Sequence, residues 1–464
     1  MARAAVCAGL DSCAKWDLPA KSLFPPLIGH KVFHRAKCPS TTMTSPRIAA
    51  LWMMVCSMIL ATSAPAFDTA AGATVPVVSR GPDSQTVAIG ATVVFSVDSD
   101  EDSLGNKEQG SSLPGVDEHP ATDRPGANVK FQWLRNRVPL KEESDAVLVL
   151  KNASSADAGS YQCILTNSAG SVTTEEAKLR VVGDSCPGHL SMMSCRTFSG
   201  AGEKRLIAGF VVGCSAMRGS MPVALRASGP RLAALGIARA LTDPVLVLRD
   251  EDKVIAVNRG WAGDKLVASV AEVANAPEWD DPSSRDSAMV RTLPCGAYTA
   301  EVFSDKGDTG FAEAEVIDAR PPSQFTHDST HLVNFSVRSP VGLGPNVPVM
   351  QFSVGGTTSV TLLIRGMGPA LSALGIADVL KTPSLLLYRI NGDGSQTWLQ
   401  SNTRWGGKRY LSEIADEIGA FPWKGALVAD ATILMTLQPA KYLLILAGDR
   451  GETGVAIMEI YEVP

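Results

Sequence analysis

The chain has 464 residues, 45% of them hydrophobic, and a formal net charge of −5. That length accommodates about three or four ordinary domains. The balance lacks the broad basic field that nucleic acids require, so no nucleic-acid partner is expected, and 41 Gly and 29 Pro point to many turns between short strands.

Residues 1–66 read as a leader. The apolar run "IAALWMMVCSMILA" (48–61) follows Arg47 and precedes Ala64-Pro65-Ala66, the order of a secretory signal peptide. Met43 is the natural start of that signal. The run is too short for a comfortable membrane span, so no integral span is expected in the mature chain. The implied address is secreted, periplasmic or cell-surface. Cys163, Cys186, Cys195, Cys214 and Cys295 follow the leader. Export permits disulfides, but an odd set cannot pair completely within one chain, and single thiols are the expectation.

Strand signals fill residues 74–182. "ATVVFSV" (91–97) and "VKFQWL" (129–134) alternate with period two, "DAVLVL" (145–150) is a further strand, and Tyr161, Cys163 and Leu165 alternate again. Gly, Asn, Asp and Pro turns between short strands read as a sandwich. Asp157, Gly159, Tyr161 and Cys163 form D-x-G-x-Y-x-C, with Trp133 upstream. The segment resembles immunoglobulin-like domains, nearest to the intermediate type. The resemblance implies that Trp133 is the core tryptophan and that the Tyr161 hydroxyl bonds nearby backbone. It also places Val97 where such domains carry the first cysteine of their bridge. Cys163 is therefore expected to be unpaired, packed as a small apolar side chain against Val97 and Trp133. The acidic, Gly- and Pro-rich stretch between the second strand and Trp133 reads as a long surface loop. Asp98, Asp100, Glu101 and Asp102 in it are weak calcium candidates, because their spacing lacks the regularity of a calcium loop. No metal or cofactor is expected.

The remaining chain is an internal repeat. "VALRASGPRLAALGIARALTDPVLVL" (223–248) recurs as "TLLIRGMGPALSALGIADVLKTPSLLL" (361–387), so that Arg226, Gly229 and Pro230 match Arg365, Gly368 and Pro369. Further on, Asn258, Trp261, Asp286, Tyr298 and Glu315 match Asn402, Trp405, Asp430, Tyr442 and Glu459. The copies span 190–319 and 332–464, with 320–331 as a linker expected to let their angle adjust. Alternating apolar strands joined by Gly and Pro turns predict an antiparallel β-sandwich or barrel-like domain in each. "PRLAALGIARAL", "DKLVASVAEVA" and their counterparts supply short helical inserts. The whole chain is thus expected to be all-β. The pieces R-x-x-G-P…G, N-x-x-W and "TLPCGAYTAEV" (292–302) resemble a β-rich repeat of large secreted bacterial proteins, for which the resemblance implies an architecture and no activity. Cys295 departs from the usual residue there, and "TLQPAKYLLIL" in the second copy departs further.

Arg226 and Arg365 beside their Gly-Pro turns, and Trp261 and Trp405 as possible stacking faces, are the candidate ligand contacts. The competing reading makes the arginines partners of loop carbonyls, Asp286 or Asp430, and the tryptophans packing residues. Glu315 and Glu459 lie on the last strand of each copy. No His-Glu-x-x-His, Gly-x-Ser-x-Gly, phosphate loop or dinucleotide fingerprint occurs. The expected function is therefore a non-catalytic interaction or adhesion role toward a protein or polysaccharide. Carbohydrate or matrix binding is the alternative. A secreted hydrolase would need convergent acids in a deep pocket.

Overall fold

A computed structural model describes residues 74–99, 129–141, 143–183, 186–200, 205–213, 219–273, 279, 281–423 and 429–464. The leader, Asp100, Glu101, Asp102 and Cys214 lie outside the described residues.

Among the described residues ten strands build the first domain: β1 (Val78–Arg80), β2 (Gln85–Ala88), β3 (Val93–Ser96), β4 (Asp98–Ser99), β5 (Lys130–Arg135), β6 (Val138–Pro139), β7 (Val147–Leu150), β8 (Gly159–Asn167), β9 (Gly170–Thr173) and β10 (Ala177–Val182). One sheet runs β2-β10-β8-β5-β6, with β9 also on β8; β3 pairs with β7 across the core, and β1 pairs with β4. The inward residues of the two layers close on one another: Phe95, Val97, Trp133, Leu148, Tyr161, Cys163 and Leu165 are all buried in one cluster. Trp133 is the cross-strand partner of Cys163. Tyr161 stacks on Phe95 at 4.7 Å, and its hydroxyl donates to the Asp157 carbonyl at 2.7 Å. Asp157 accepts from the Ser154 amide and hydroxyl and pairs with Arg135. Cys163 is a free buried thiol, and burial pushes its pKa up to about 12. Asp98, the one calcium candidate described, sits in β4 opposite Arg80.

The first repeat holds β11 (His189–Ser199), β12 (Leu206–Gly213), β13 (Ser220–Ser228), β14 (Val245–Asp250), β15 (Lys253–Asn258), β16 (Ser287–Pro294), β17 (Gly296–Phe303) and β18 (Gly310–Asp318). The second holds β19 (His331–Val341), β20 (Val349–Gly355), β21 (Val360–Met367), β22 (Pro383–Ile390), β23 (Gln396–Asn402), β24 (Ala431–Leu437), β25 (Ala440–Gly448) and β26 (Gly454–Val463). Each set of eight forms two antiparallel four-stranded sheets. Numbered within the repeat, their orders are 1-8-3-6 and 2-7-4-5. The second copy repeats every pairing. This is the jelly-roll topology, a sandwich made from two Greek keys. Short helices α1 (Pro230–Ala234) and α2 (Lys265–Val273) belong to the first copy, α3 (Pro369–Ser372) and α4 (Arg409–Glu417) to the second.

The two jelly rolls are not hinged. Strand 1 of each pairs with strand 2 of the other: β11 with β20 and β12 with β19. Two eight-stranded runs result, β16-β13-β18-β11-β20-β25-β22-β23 and β15-β14-β17-β12-β19-β26-β21-β24, related by a local twofold and joined where Leu190 of β11 pairs with Leu332 of β19. One buried apolar cluster runs through both sandwiches. The expected adjustable linker is instead packed down, with Phe325 buried and stacked on His189 at 3.4 Å between ring centroids. His331, at the start of β19, pairs with Glu462 of β26 at 2.9 Å.

The first domain is seated on the second repeat. The outer residues Val94, Val147 and Val149 of β3 and β7 pack on Leu363, Leu434, Tyr461 and Val463 and on Leu411, Ile414 and Ala415 of α4. The Val94 amide donates to Thr436 Oγ1 at 2.7 Å, and Thr361 Oγ1 donates to the Thr92 carbonyl. Lys151–Glu417 and Lys408–Asp145 flank the contact.

Candidate functional site

On β13, Val223, Leu225 and Ala227 enter the sandwich interior, so the alternate residues Ala224, Arg226 and Ser228 face outward. They are nevertheless buried, because α2 lies across that face. Asp264 starts α2 by accepting the Leu266 amide, and Val270 and Ala271 press on Ala224 and Ile317. Arg226 therefore sits between sheet and helix, 2% exposed. Its cross-strand partner on β18 is Glu315, also buried, with Nε to Oε2 at 2.7 Å. Trp279 lies over the guanidinium at 4.5 Å and meets Trp261 edge-on. Burial raises the Glu315 carboxyl to about 7 against the opposing pull of Arg226.

The second repeat builds the same cluster from Arg365, Glu459, Trp423 and Trp405. Arg365 donates from Nε and Nη2 to Glu459 Oε2 at 2.9 and 2.6 Å, and from Nη1 to the Phe421 carbonyl. Trp423 lies under its guanidinium and stacks on Trp405 at 4.6 Å.

The structure thus brings together Arg226 with Trp261 and Arg365 with Trp405, but as interior groups. Trp261 and Trp405 are 4% and 6% exposed, so neither offers an open ring face for a sugar. Their amides donate to the carbonyls of Asp286 and Asp430. The partners of the arginines are Glu315 and Glu459 rather than Asp286 and Asp430. The aspartates serve the Gly-Pro turns instead. Asp286 accepts the amides of Gly229 and Arg231, and Asp430 those of Gly368 and Ala370, at the starts of α1 and α3. A side chain at Gly229 or Gly368 would run into the carbonyl of Leu241 or Leu380. Burial lifts Asp430 to about 6 despite its amide donors.

A cavity of about 390 Å³ opens beside α2, lined by Arg226, Trp261, Lys265, Glu272 and Trp279 among others. No pair of acids converges on it: Glu272, exposed on the helix, is its one lining acid, and Glu315 is engaged with Arg226. Among the described residues no cluster of His, Cys, Asp or Glu has metal-holding geometry.

Two features were not anticipated. Tyr298 and Tyr442 each donate to the carbonyl four residues earlier, as Tyr161 does, and each stacks on a phenylalanine. The recurring Tyr of both repeats carried that signal. Cys295 is disulfide-bonded, whereas Cys163, Cys186 and Cys195 are free. That corrects the expectation of single thiols at Cys295 and holds to it at the other three.

An immunoglobulin I-set family model matches residues 126–181. The N-terminal domain is immunoglobulin-like. The chain is also similar to the tandem Ig repeats of Dlar, at 20% identity over 23% of this chain and 48% of that one, TM-score 0.17. It is similar to the N-terminal Ig1-2 module of the Drosophila receptor protein tyrosine phosphatase DLAR, at 20% identity over 25% and 49%, TM-score 0.18. Immunoglobulin domains 1–5 of Sidekick-1 align at 12% identity over 84% of this chain and 59% of that one, TM-score 0.18. The alignments span about half the length of the first two chains. No curated protein matches the chain in sequence. Among the described residues no helix is long and apolar enough to cross a membrane.

Proposed function

We propose that the chain is an exported, non-catalytic interaction protein that binds a protein partner at a cell surface or in the surrounding matrix. The supporting observation is the duplication of the Arg–Glu–Trp–Trp cluster. In the second copy it is closed over, with Arg365 bonded on three sides by Glu459 and Phe421. The buried Arg–Glu pair that both repeats share is therefore engaged in holding helix to sheet, and the shared Asp286 and Asp430 in holding the Gly-Pro turns, which leaves function to the surface. An immunoglobulin-like domain fits that use, though fold alone does not assign it. The buried state of Trp261 and Trp405 removes the main support for a polysaccharide ligand.

The test is to coat surfaces with the purified protein and measure adhesion of the source organism's own cells, beside an albumin coat. The same sample is assayed on chromogenic ester, glycoside and phosphoester substrates. Adhesion above albumin without turnover supports the reading. Turnover that disappears in Glu315→Gln overturns it.

A further inference from the structure

The two eight-stranded runs end in four edge strands, β15, β16, β23 and β24. An open edge exposes unpaired backbone groups that recruit other strands, and monomeric folds blunt such edges with charges, proline or a covering element. Three of the four are blunted here. β24 lies under the immunoglobulin-like domain, where Thr436 receives the Val94 amide. β23, "QTWLQSN", is polar except at Trp398 and Leu399, and Arg80 of that domain donates to its Leu399 carbonyl at 2.8 Å, which occupies that edge. β16 ends in Pro294 and shows Arg291 and Thr292 to solvent.

β15 has no proline and, among the described residues, no covering element; its one charge is Lys253 at the hairpin end, and a register shift against Leu248 and Arg249 brings both Val254 and Val257 to the free side. Its sequence is "KVIAVN", with Val254, Ile255 and Val257 at 44, 38 and 42% exposure. Among the described residues it pairs with β14 alone. Asp250 and Lys253 close a two-residue turn with Glu251 at φ 49°. In such a hairpin the closing pair exchanges hydrogen bonds, so the next residue, Val254, turns its N–H and C=O to the free side.

We propose that β15 is a self-association edge: two copies of the chain pair β15 with β15, antiparallel across a twofold axis, Val254 opposite Val257 of the second copy. Self-pairing is favoured over a foreign strand by complementarity. The register that matches valine to valine also sets Lys253 opposite Asn258 of the second copy and the exposed Asp252 opposite its exposed Arg259, each twice by symmetry. No like charges meet. Arg259 bridges Asp305 within its own chain through Nε, which leaves its terminal nitrogens for a second carboxylate. The chain already joins its own repeats in this way, edge to edge about a local twofold. The dimer carries the eight-stranded run on to sixteen strands and points the two immunoglobulin-like domains away from the new seam.

Sedimentation equilibrium of the whole protein, from micromolar to hundreds of micromolar, tests this. A concentration-dependent dimer is expected. Val257→Lys, placing an ammonium in the seam, should weaken it by about tenfold or more. Asp252→Lys should weaken it too, and Asp252→Lys combined with Arg259→Asp should restore it. Circular dichroism melts confirm that each variant is folded. A wild-type protein that stays monomeric throughout overturns the proposal. So does a dimer indifferent to Val257→Lys and to the charge exchange. The proposal goes beyond the adhesion reading and fails separately from it: a monomer that still promotes adhesion removes only the dimer, and a dimer without adhesion removes only the adhesive role.

Discussion

At the scale of single residues, the buried arginines carry the sharpest consequences. Arg365 is fully buried; burial alone would lower its pKa, but Glu459 beside it holds the guanidinium charged and the value above its ordinary one. Removing one member of such a pair leaves an uncompensated charge inside. Arg365→Ala should therefore destabilise the protein by about 3–5 kcal/mol in urea unfolding. Arg365→Leu with Glu459→Leu should recover most of that loss, because the desolvation cost disappears with the charges. His331 makes a pH prediction. Burial would depress its pKa, but pairing with Glu462 outweighs it and lifts the value from 6.5 to about 9. A raised folded pKa contributes stability that is fully present below pH 6.5 and lost as pH rises through 9. The melting temperature should fall across that window, and His331→Gln should flatten the fall. Arg226, Arg365, Trp261 and Trp405 were legible in the sequence because they recur. Their partners were harder to find: Glu315 and Glu459 lie far along the chain, and only the 3–8 strand pairing brings them opposite the arginines.

At the scale of elements, the decisive strands were the least visible. β11 reads "HLSMMSCRTFS" and β19 "HLVNFSVRSPV", with serine, cysteine and proline breaking the alternation. They pass through the middle of the molecule and pair on both sides; β11 is buried on nearly every residue of both faces and β19 is nowhere fully exposed, so little polar-out pattern is required. The immunoglobulin-like strands were legible because their outer faces are mostly wet. An exception is the β3–β7 pair, whose outward Val94 belongs to the interface with α4. Val94→Asp would place a carboxylate against Leu363, Leu434 and Ile414. It should cost about 2–4 kcal/mol and release the domain from its seat. Small-angle scattering would then report a larger radius of gyration, with the far-ultraviolet dichroism unchanged. An unaltered radius would mean that the seat does not depend on that face. The first repeat lacks this occupant, and at the position of Thr436 its Thr292 is exposed.

At the scale of the whole molecule, the repeat pair is one mechanical unit. A sequence with two copies and a Pro-rich connector suggests two domains that unfold in turn. The pairings β11–β20 and β12–β19 change that expectation, since neither jelly roll can lose its first two strands without breaking a sheet in the other. Leu190, Phe210, Phe335, Val337, Met350 and Phe352 on these four strands belong to the shared core. Calorimetry should therefore show one transition for both repeats, with the calorimetric and van't Hoff enthalpies in agreement for that unit. Cleavage engineered into the 326–329 turn, where Thr326 and Ser329 are hydrogen-bonded at the surface, should leave the halves together on a sizing column. Their association is held by strand pairing and buried apolar area rather than by the connector. Two resolved transitions, or halves that separate after cleavage, would show that the sheet junction is weaker than the sandwiches it joins.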